Sequence, residues 1–244
     1  MAISLRATGT YTSGTANLTP AIPAGATSGD MMICAYGTKP YDDAPTINNS
    51  WTSLGSATDG TVAAGVDVGS MQTRIFYKEH TGTESDPTVT NTTNNSSTAV
   101  IIVFQKTEAG WAAIVGAGGG DNTAGTAFSV TMGSDVGHTT GDMIVGGAAF
   151  RSNSAAQTSG NGMTIAGTTL GAYTKSPATD QASTSGGDMA MTVGYLPVDS
   201  GTSTGAPVFS CTLAAAHTGS AFFVRLREVV SFAFNNTLLL TGAG

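Results

Sequence analysis

Three Gly-Asp-Met tripeptides occur in this 244-residue chain, at Gly29-Asp30-Met31, Gly141-Asp142-Met143 and Gly187-Asp188-Met189. A carboxylate held on a glycine turn can act as a general acid or base, or as a hard oxygen ligand for a cation. A fourth place in the chain decides between chemistry and structure. Gly69-Ser70-Met71 occupies the matching position of an internal repeat, with Ser where the others carry Asp. A metal ligand or catalytic acid does not alternate with Ser. A side chain that accepts a hydrogen bond from its own turn does. The expectation is a joint leading from turn into strand: Gly supplies the unusual φ, Asp or Ser ties the turn, and Met opens a buried strand.

The other reactive-looking patterns are weaker. "IVGAGGGD" (114–121) suggests a dinucleotide loop, but Asp121 stands where the third glycine belongs and "NTAGTAFSV" cannot open a helix. An inter-domain linker is expected there instead. "GTSTG" (201–205) places Ser203 in a G-x-S-x-G pattern, yet Pro207 and a β-forming run follow it, so a loop is expected. His80, His138 and His217 show no metal-ligand spacing and read as exposed or half-buried loop residues. Asp42, Asp43 and Asp121 do not form a calcium-loop array. No catalytic residue, metal site or cofactor is expected. Trp51 and Trp111 allow two readings, a sugar-stacking loop residue (Trp51, helped by Tyr41) or a core and end-cap residue.

Composition narrows the partners. The formal charge is −7, from 9 Lys+Arg against 16 Asp+Glu, which leaves no basic surface for nucleic acid or an anionic membrane. Charged residues are only 10% of the chain, so Gly, Ser and Thr must solvate the surface. Residues that favour helices never gather at a 3.6-residue period. Cys34 and Cys211 each lie inside an apolar run and read as buried free thiols rather than a disulfide. The first fourteen residues lack the apolar core of an export signal, and no run is long enough for a membrane helix.

The elements that must position these residues come in two copies. "TSGDMMICAY" matches "TTGDMIVGGA", and "VGSMQTRIFYKEH" matches "GGDMAMTVGYLPV". The run beginning at Asp86 matches the run beginning at Ala206, and the offsets between copies rise steadily along the chain. The segments after each joint are short and rich in β-branched and aromatic residues, as strands are. "AVIIVF" is apolar on both faces, as a central sandwich strand is; residues 37–66 and 152–186 read as long polar loops. The expected fold is all-β: two tandem antiparallel β-sandwiches of Ig-like or jelly-roll type. The first unit would cover residues 1–108 and the second 109–228. Residues 229–244 would form an apolar arm. Its Phe232, Phe234, Leu238, Leu239 and Leu240 would pack on the same chain or exchange with a neighbouring subunit.

"LTPAIPAGATSGDMMICAYGT", then Trp51-Thr52-Ser53-Leu54, "TRIFYKEHTGTESDPTVT" and "STAVIIVFQ" together resemble a β-sandwich unit recurrent among tailed-bacteriophage structural proteins. The resemblance covers most of residues 14–108, and the second copy only through its Gly-Asp-Met turns and final strands. It implies a non-enzymatic virion component, assembled in the host cytoplasm and exposed on the particle. A head decoration (cement) protein on the major capsid protein is favoured, as a homo-oligomer and above all a trimer. The alternative is a tail- or fibre-associated adhesin that binds a receptor or glycan. The resemblance supplies no catalytic residues.

Overall fold

The computed structural model describes residues 3–39, 45–58, 71–90, 96–151, 157–178, 181–183 and 189–229. Tyr41, Asp42, Asp43, Gly69, Ser70, Gly187, Asp188, Phe232, Phe234, Leu238, Leu239 and Leu240 lie outside the described residues. Regular structure among the described residues is entirely β, in antiparallel sheets.

The first half contains β1 (Ser4–Thr8), β2 (Thr12–Gly14), β3 (Met31–Lys39), β4 (Thr46–Ile47), β5 (Thr52–Thr58), β6 (Gln72–Glu79), β7 (Val89–Thr90) and β8 (Ser96–Gln105). A short β9 (Gly110–Trp111) follows. The second half contains β10 (Val115–Thr131), β11 (Met143–Phe150), β12 (Gln157–Thr164), β13 (Thr168–Leu170), β14 (Thr174–Lys175), β15 (Gln181–Ser183), β16 (Met189–Gly201) and β17 (Val208–Leu226). The last strand, β18 (Glu228–Val229), pairs back onto β9.

The two halves share one strand order. The first sheet runs β1-β8-β3-β6-β5 and the second β10-β17-β11-β16-β13. The first Gly-Asp-Met joint of each half opens the middle strand: Met31 lies opposite Phe104 on β8, and Met143 opposite Leu226 on β17. This register sets β8 and β17 two residues further apart than matching the runs from Asp86 and Ala206 implies.

The alternation of side chains along each strand builds three apolar layers. On β3, Met32, Cys34 and Tyr36 join Trp51, Phe76 and Ile101 in an outer cluster, closed over by Leu18 and Val89. On β11, Ile144, Ala148 and Phe150 point to the opposite outer cluster, against Phe128, Phe209 and Leu213. The remaining faces of the two sheets meet. Met31, Ile33 and Ala35 of β3, with Ile102 and Phe104 of β8, pack against Met143 and Val145 of β11, Met191 of β16, and Phe222 and Val224 of β17. Met31, Met71, Met143 and Met189, the methionines of all four joints, belong to this one central cluster.

The halves meet in a reciprocal way. β6 packs on β17 and β8 on β16; β6 packs on β11 and β3 on β16. β5 lies against β10, and in exchanged roles Thr8 at the end of β1 bonds to Ser176 just after β14. Equivalent residues face each other: Lys39, at the end of β3, donates to the carbonyl of Arg151 just past the end of β11, at 2.7 Å. This is the self-complementary geometry of a two-fold dimer, made within one chain.

Three expectations are corrected here. Residues 114–121 are no linker: Val115 begins β10, and its glycines let two backbones approach. A Cβ on Gly118 would strike Ala57 Cβ of β5 and lie 2.8 Å from the Ala221 carbonyl. The stretch 37–66 contains β4 and β5, and 152–186 contains β12, β13, β14 and β15. Of these, β4, β5, β13 and β14 are polar because they lie at sheet margins, where side chains meet water and hydrophobic alternation fades.

Steric room orders two substitutions. A Cβ on Gly37 would meet the Met189 Cε at 3.0 Å and the Met191 Sδ at 3.3 Å, on flexible side chains, and the Ala149 Cβ at 3.2 Å, which need give by only a few tenths of an ångström. At Gly118 the Ala57 Cβ and the Ala221 carbonyl, at 2.8 Å, are both too close for any such adjustment. Gly118→Val is expected to cost about 3 kcal/mol and Gly37→Ala about 1 kcal/mol in urea unfolding. Equal costs would mean that β5 and β10 do not approach as described.

Candidate functional site

The two described Gly-Asp joints are the same device. Gly29 and Gly141 both have φ of 91°, a left-handed conformation that glycine adopts without a steric penalty. The Gly29 amide donates to the His80 carbonyl, and the Gly141 amide to the Val198 carbonyl. Asp30 Oδ2 accepts the Thr27 amide at 2.8 Å, and Asp142 Oδ2 accepts the Thr139 amide at 2.8 Å. Each carboxylate thus closes a three-residue loop onto itself.

Both carboxylates are buried, Asp30 at 3% exposure and Asp142 at 1%, and each has an arginine partner. Arg6 Nε lies 2.6 Å from Asp30 Oδ2. Arg227 forms a two-pronged pair, Nε to Oδ1 and Nη2 to Oδ2, each at 2.6 Å. The bond to Asp142 raises the Arg227 guanidinium above its ordinary value. The two arginines come from different strands. Arg227 follows β17, at the register position that Gln105 holds in the first half. Arg6 sits at a bulge of β1, where Leu5 pairs with Phe104 and Ala7 with Val103. The bulge leaves one residue out of the ladder and re-aims its side chain.

A second cluster joins residues that the sequence holds far apart. The hydroxyl of Ser203 donates to Asp135, and its Oγ accepts the His138 amide at 2.8 Å. The Ser203 amide returns a bond to the His138 carbonyl at 2.9 Å. Ser203 and the Gly137 amide hold Asp135 below the usual carboxylate range. Ser, His and Asp invite comparison with a nucleophile relay, and the geometry fails it. A relay needs the imidazole between hydroxyl and carboxylate. Here the carboxylate bonds the hydroxyl directly, while His138 Nδ1 stays 3.9 Å from Asp135. Among the described residues neither ring nitrogen of His138 has a hydrogen-bond partner, and the ring packs on Phe223. The cluster pins residues 135–138 to the loop at 203.

The histidine expectation is corrected at two of three positions, since His138 is fully buried and His80 is 7% exposed. His80 Nδ1 accepts the Gly82 amide at 3.0 Å, and Nε2 faces Glu84 at 3.2 Å. Burial pushes the Glu84 carboxyl up. Bonds from Thr81 and the neighbouring His80 outweigh burial and hold it at about 2. His217 is half-buried.

Trp51 lies in the outer cluster of the first half at 8% exposure, so its ring faces are covered by protein. Trp111 ties the chain between the halves to the first joint, donating from Nε1 to the Gly29 carbonyl at 2.9 Å. Cys34 and Cys211 are not joined in a disulfide and are buried in different clusters. Burial pushes the Cys34 thiol up to about 12, which keeps it protonated and unreactive. Among the described residues, no three His, Cys, Asp or Glu side chains gather as metal ligands would.

Comparison with protein-family models, curated proteins and solved structures finds no match to this chain.

Removing one partner of a buried pair leaves the other uncompensated. Asp142→Asn is expected to cost about 3 kcal/mol in urea unfolding, somewhat reduced because Arg227 is partly in water. Asp199→Asn, exposed on β16, is expected to cost under about 0.5 kcal/mol. Equal costs would remove the pair from the account.

Burial lowers the His138 imidazole, with Asp142 and Asp135 pulling it up and Arg225 and Arg227 pulling it down. A histidine lowered on folding binds more protons when unfolded. The protein is therefore expected to lose stability as pH falls from 7.5 through 6.5 towards 5, read by urea unfolding across that range. His138→Phe should flatten that slope, leaving the part due to His217, which burial also lowers. An unchanged slope in the variant would show that His138 does not govern it.

Proposed function

We propose that this chain is a non-enzymatic structural protein of a tailed-bacteriophage virion, a capsid decoration (cement) protein seated on the major capsid protein. The carrying observation is that its repeated chemical motif is consumed by the fold. In both described joints the carboxylate is buried, ties its own turn and is neutralised by an arginine. Such an aspartate is a fastener and not a reagent. The resemblance of residues 14–108 to a phage sandwich unit gives this fastener its setting. A surface carried by hydroxyls and amides, with 10% charged residues, suits a protein that functions as many copies on a particle. The adhesin alternative draws on a stacking Trp51, and the covered ring withdraws that support. The proposed species is a homo-oligomer, a trimer in preference to others, exposed on the particle surface.

The test is a cryo-EM difference map between particles with and without this chain. Density at three-fold or quasi-three-fold positions of the head is expected. Density confined to the tail tip would overturn the decoration reading.

A further inference from the structure

The register that relates the two halves exposes one place where they differ in kind. Arg74 of β6 pairs with Tyr36, and Phe76 with Cys34. At the same positions of the second half, Thr192 of β16 pairs with Ala148, and Gly194 with Gly146. In the second half this place is filled. Tyr173 lies over Gly194, where an added Cβ would be 2.5 Å from its ring, and its hydroxyl donates to the Gly146 carbonyl at 3.0 Å. Thr192 is fully buried.

In the first half no described residue fills the matching place. A hollow of about 210 Å³ is lined by Pro45, Thr46, Ile47, Trp51, Ser53 and Arg74, with Phe76 at its base. Arg74 Nε donates to Ser53 Oγ at 3.2 Å, and the guanidinium stands 5.8 Å over the Phe76 ring. No described carboxylate pairs with Arg74, so its terminal N–H groups remain available as a fork. Ser53 Oγ accepts from both Arg74 and the Gly55 amide at 3.2 Å, which leaves its own proton to donate. By contrast Arg6, Lys78, Lys106 and Arg227 all face carboxylates.

We infer that the hollow between β4, β5 and β6 binds a carboxylate-bearing sugar residue of the hexuronic acid class. The guanidinium fork takes the carboxylate, as planar bidentate recognition requires. Hydroxyls of Ser53 and Thr46 meet ring hydroxyls, and Pro45, Ile47 and the edge of Trp51 cover a C–H face. This role uses the rim of Trp51 rather than its buried face. The room admits one pyranose and not a length of peptide. The site is independent of the virion reading, so a particle map that overturns the one leaves the other standing.

The experiment is titration calorimetry of the full chain at pH 7 and low salt with glucuronic acid oligosaccharides. Glucose oligosaccharides and an N-acetyl-glutamyl peptide amide are the comparison ligands. Binding of the uronic acid alone is expected. R74Q should weaken it about tenfold or more, and R74K, which keeps the charge but loses the fork, should fall between. S53A should weaken it about threefold while retaining the guanidinium. Thermal melts matching wild type establish that the variants are folded. Absence of uronic acid binding by the wild type overturns the proposal, as does unchanged affinity in R74Q. Equal binding of glucose oligosaccharides, or tighter binding of the glutamyl peptide, overturns it as well.

Discussion

The fold depends on burying a second apolar face on each sheet. Strands such as "MMICAY" and "AVIIVF" are apolar on both sides, so each sheet needs two covers. One cover is local, made by Leu18 and Val89 in the first half and by Phe128, Phe209 and Leu213 in the second. The other can only be the opposite half. Full burial of one Leu, Ile, Phe or Met contributes about 1.5–3 kcal/mol as an upper estimate. The central cluster joins many such side chains from both sheets. That total exceeds what the two Asp–Arg pairs contribute, because their Coulomb gain is largely offset by desolvation. Hydrophobic contact holds the halves together, and the ion pairs decide where the chain turns.

This division of labour explains which features were readable in advance. The joint was readable because its determinants are local: a glycine that can take φ of 91°, a Thr amide three residues before the Asp, and a Met that opens the strand. Strand identity on β3, β6, β8, β11, β16 and β17 was readable because short runs rich in apolar, β-branched and aromatic residues, bounded by turn formers, leave a trace in the residues themselves. The duplication was readable for both reasons at once. The arginine partners were not. In the first half the partner is a bulge residue of β1, in the second the residue after β17, and no spacing rule connects them. The same holds for Ser203 and His138, 65 residues apart and joined only by the packing of two loops.

Glycine was read by its commonest role in loops, and that role was the wrong one on β10. The run from Gly116 to Gly120 is extended strand whose missing side chains make room for β5 and for the carbonyls of β17. Composition alone cannot separate a flexible linker from a strand that must be thin, since both require absent side chains. The difference lies in what faces the strand, here Leu54 and Ala57 from the other half.

A duplicated unit packed against its copy is free to vary wherever the copies do not touch. The central faces are held to one pattern, because each must fit the other and any change is met on both sides. The outer clusters answer only to their own half. They have accordingly diverged, with Trp51 and Phe76 filling one and Tyr173, Phe209 and Phe128 filling the other. Arg74 and Thr192 occupy one register position on these outer faces, one beside an open hollow and the other sealed. Charge can enter such a position without disturbing the shared core, because the side chain points away from it. The outer face of the first half is therefore where this fold can take on a binding role that its twin lacks.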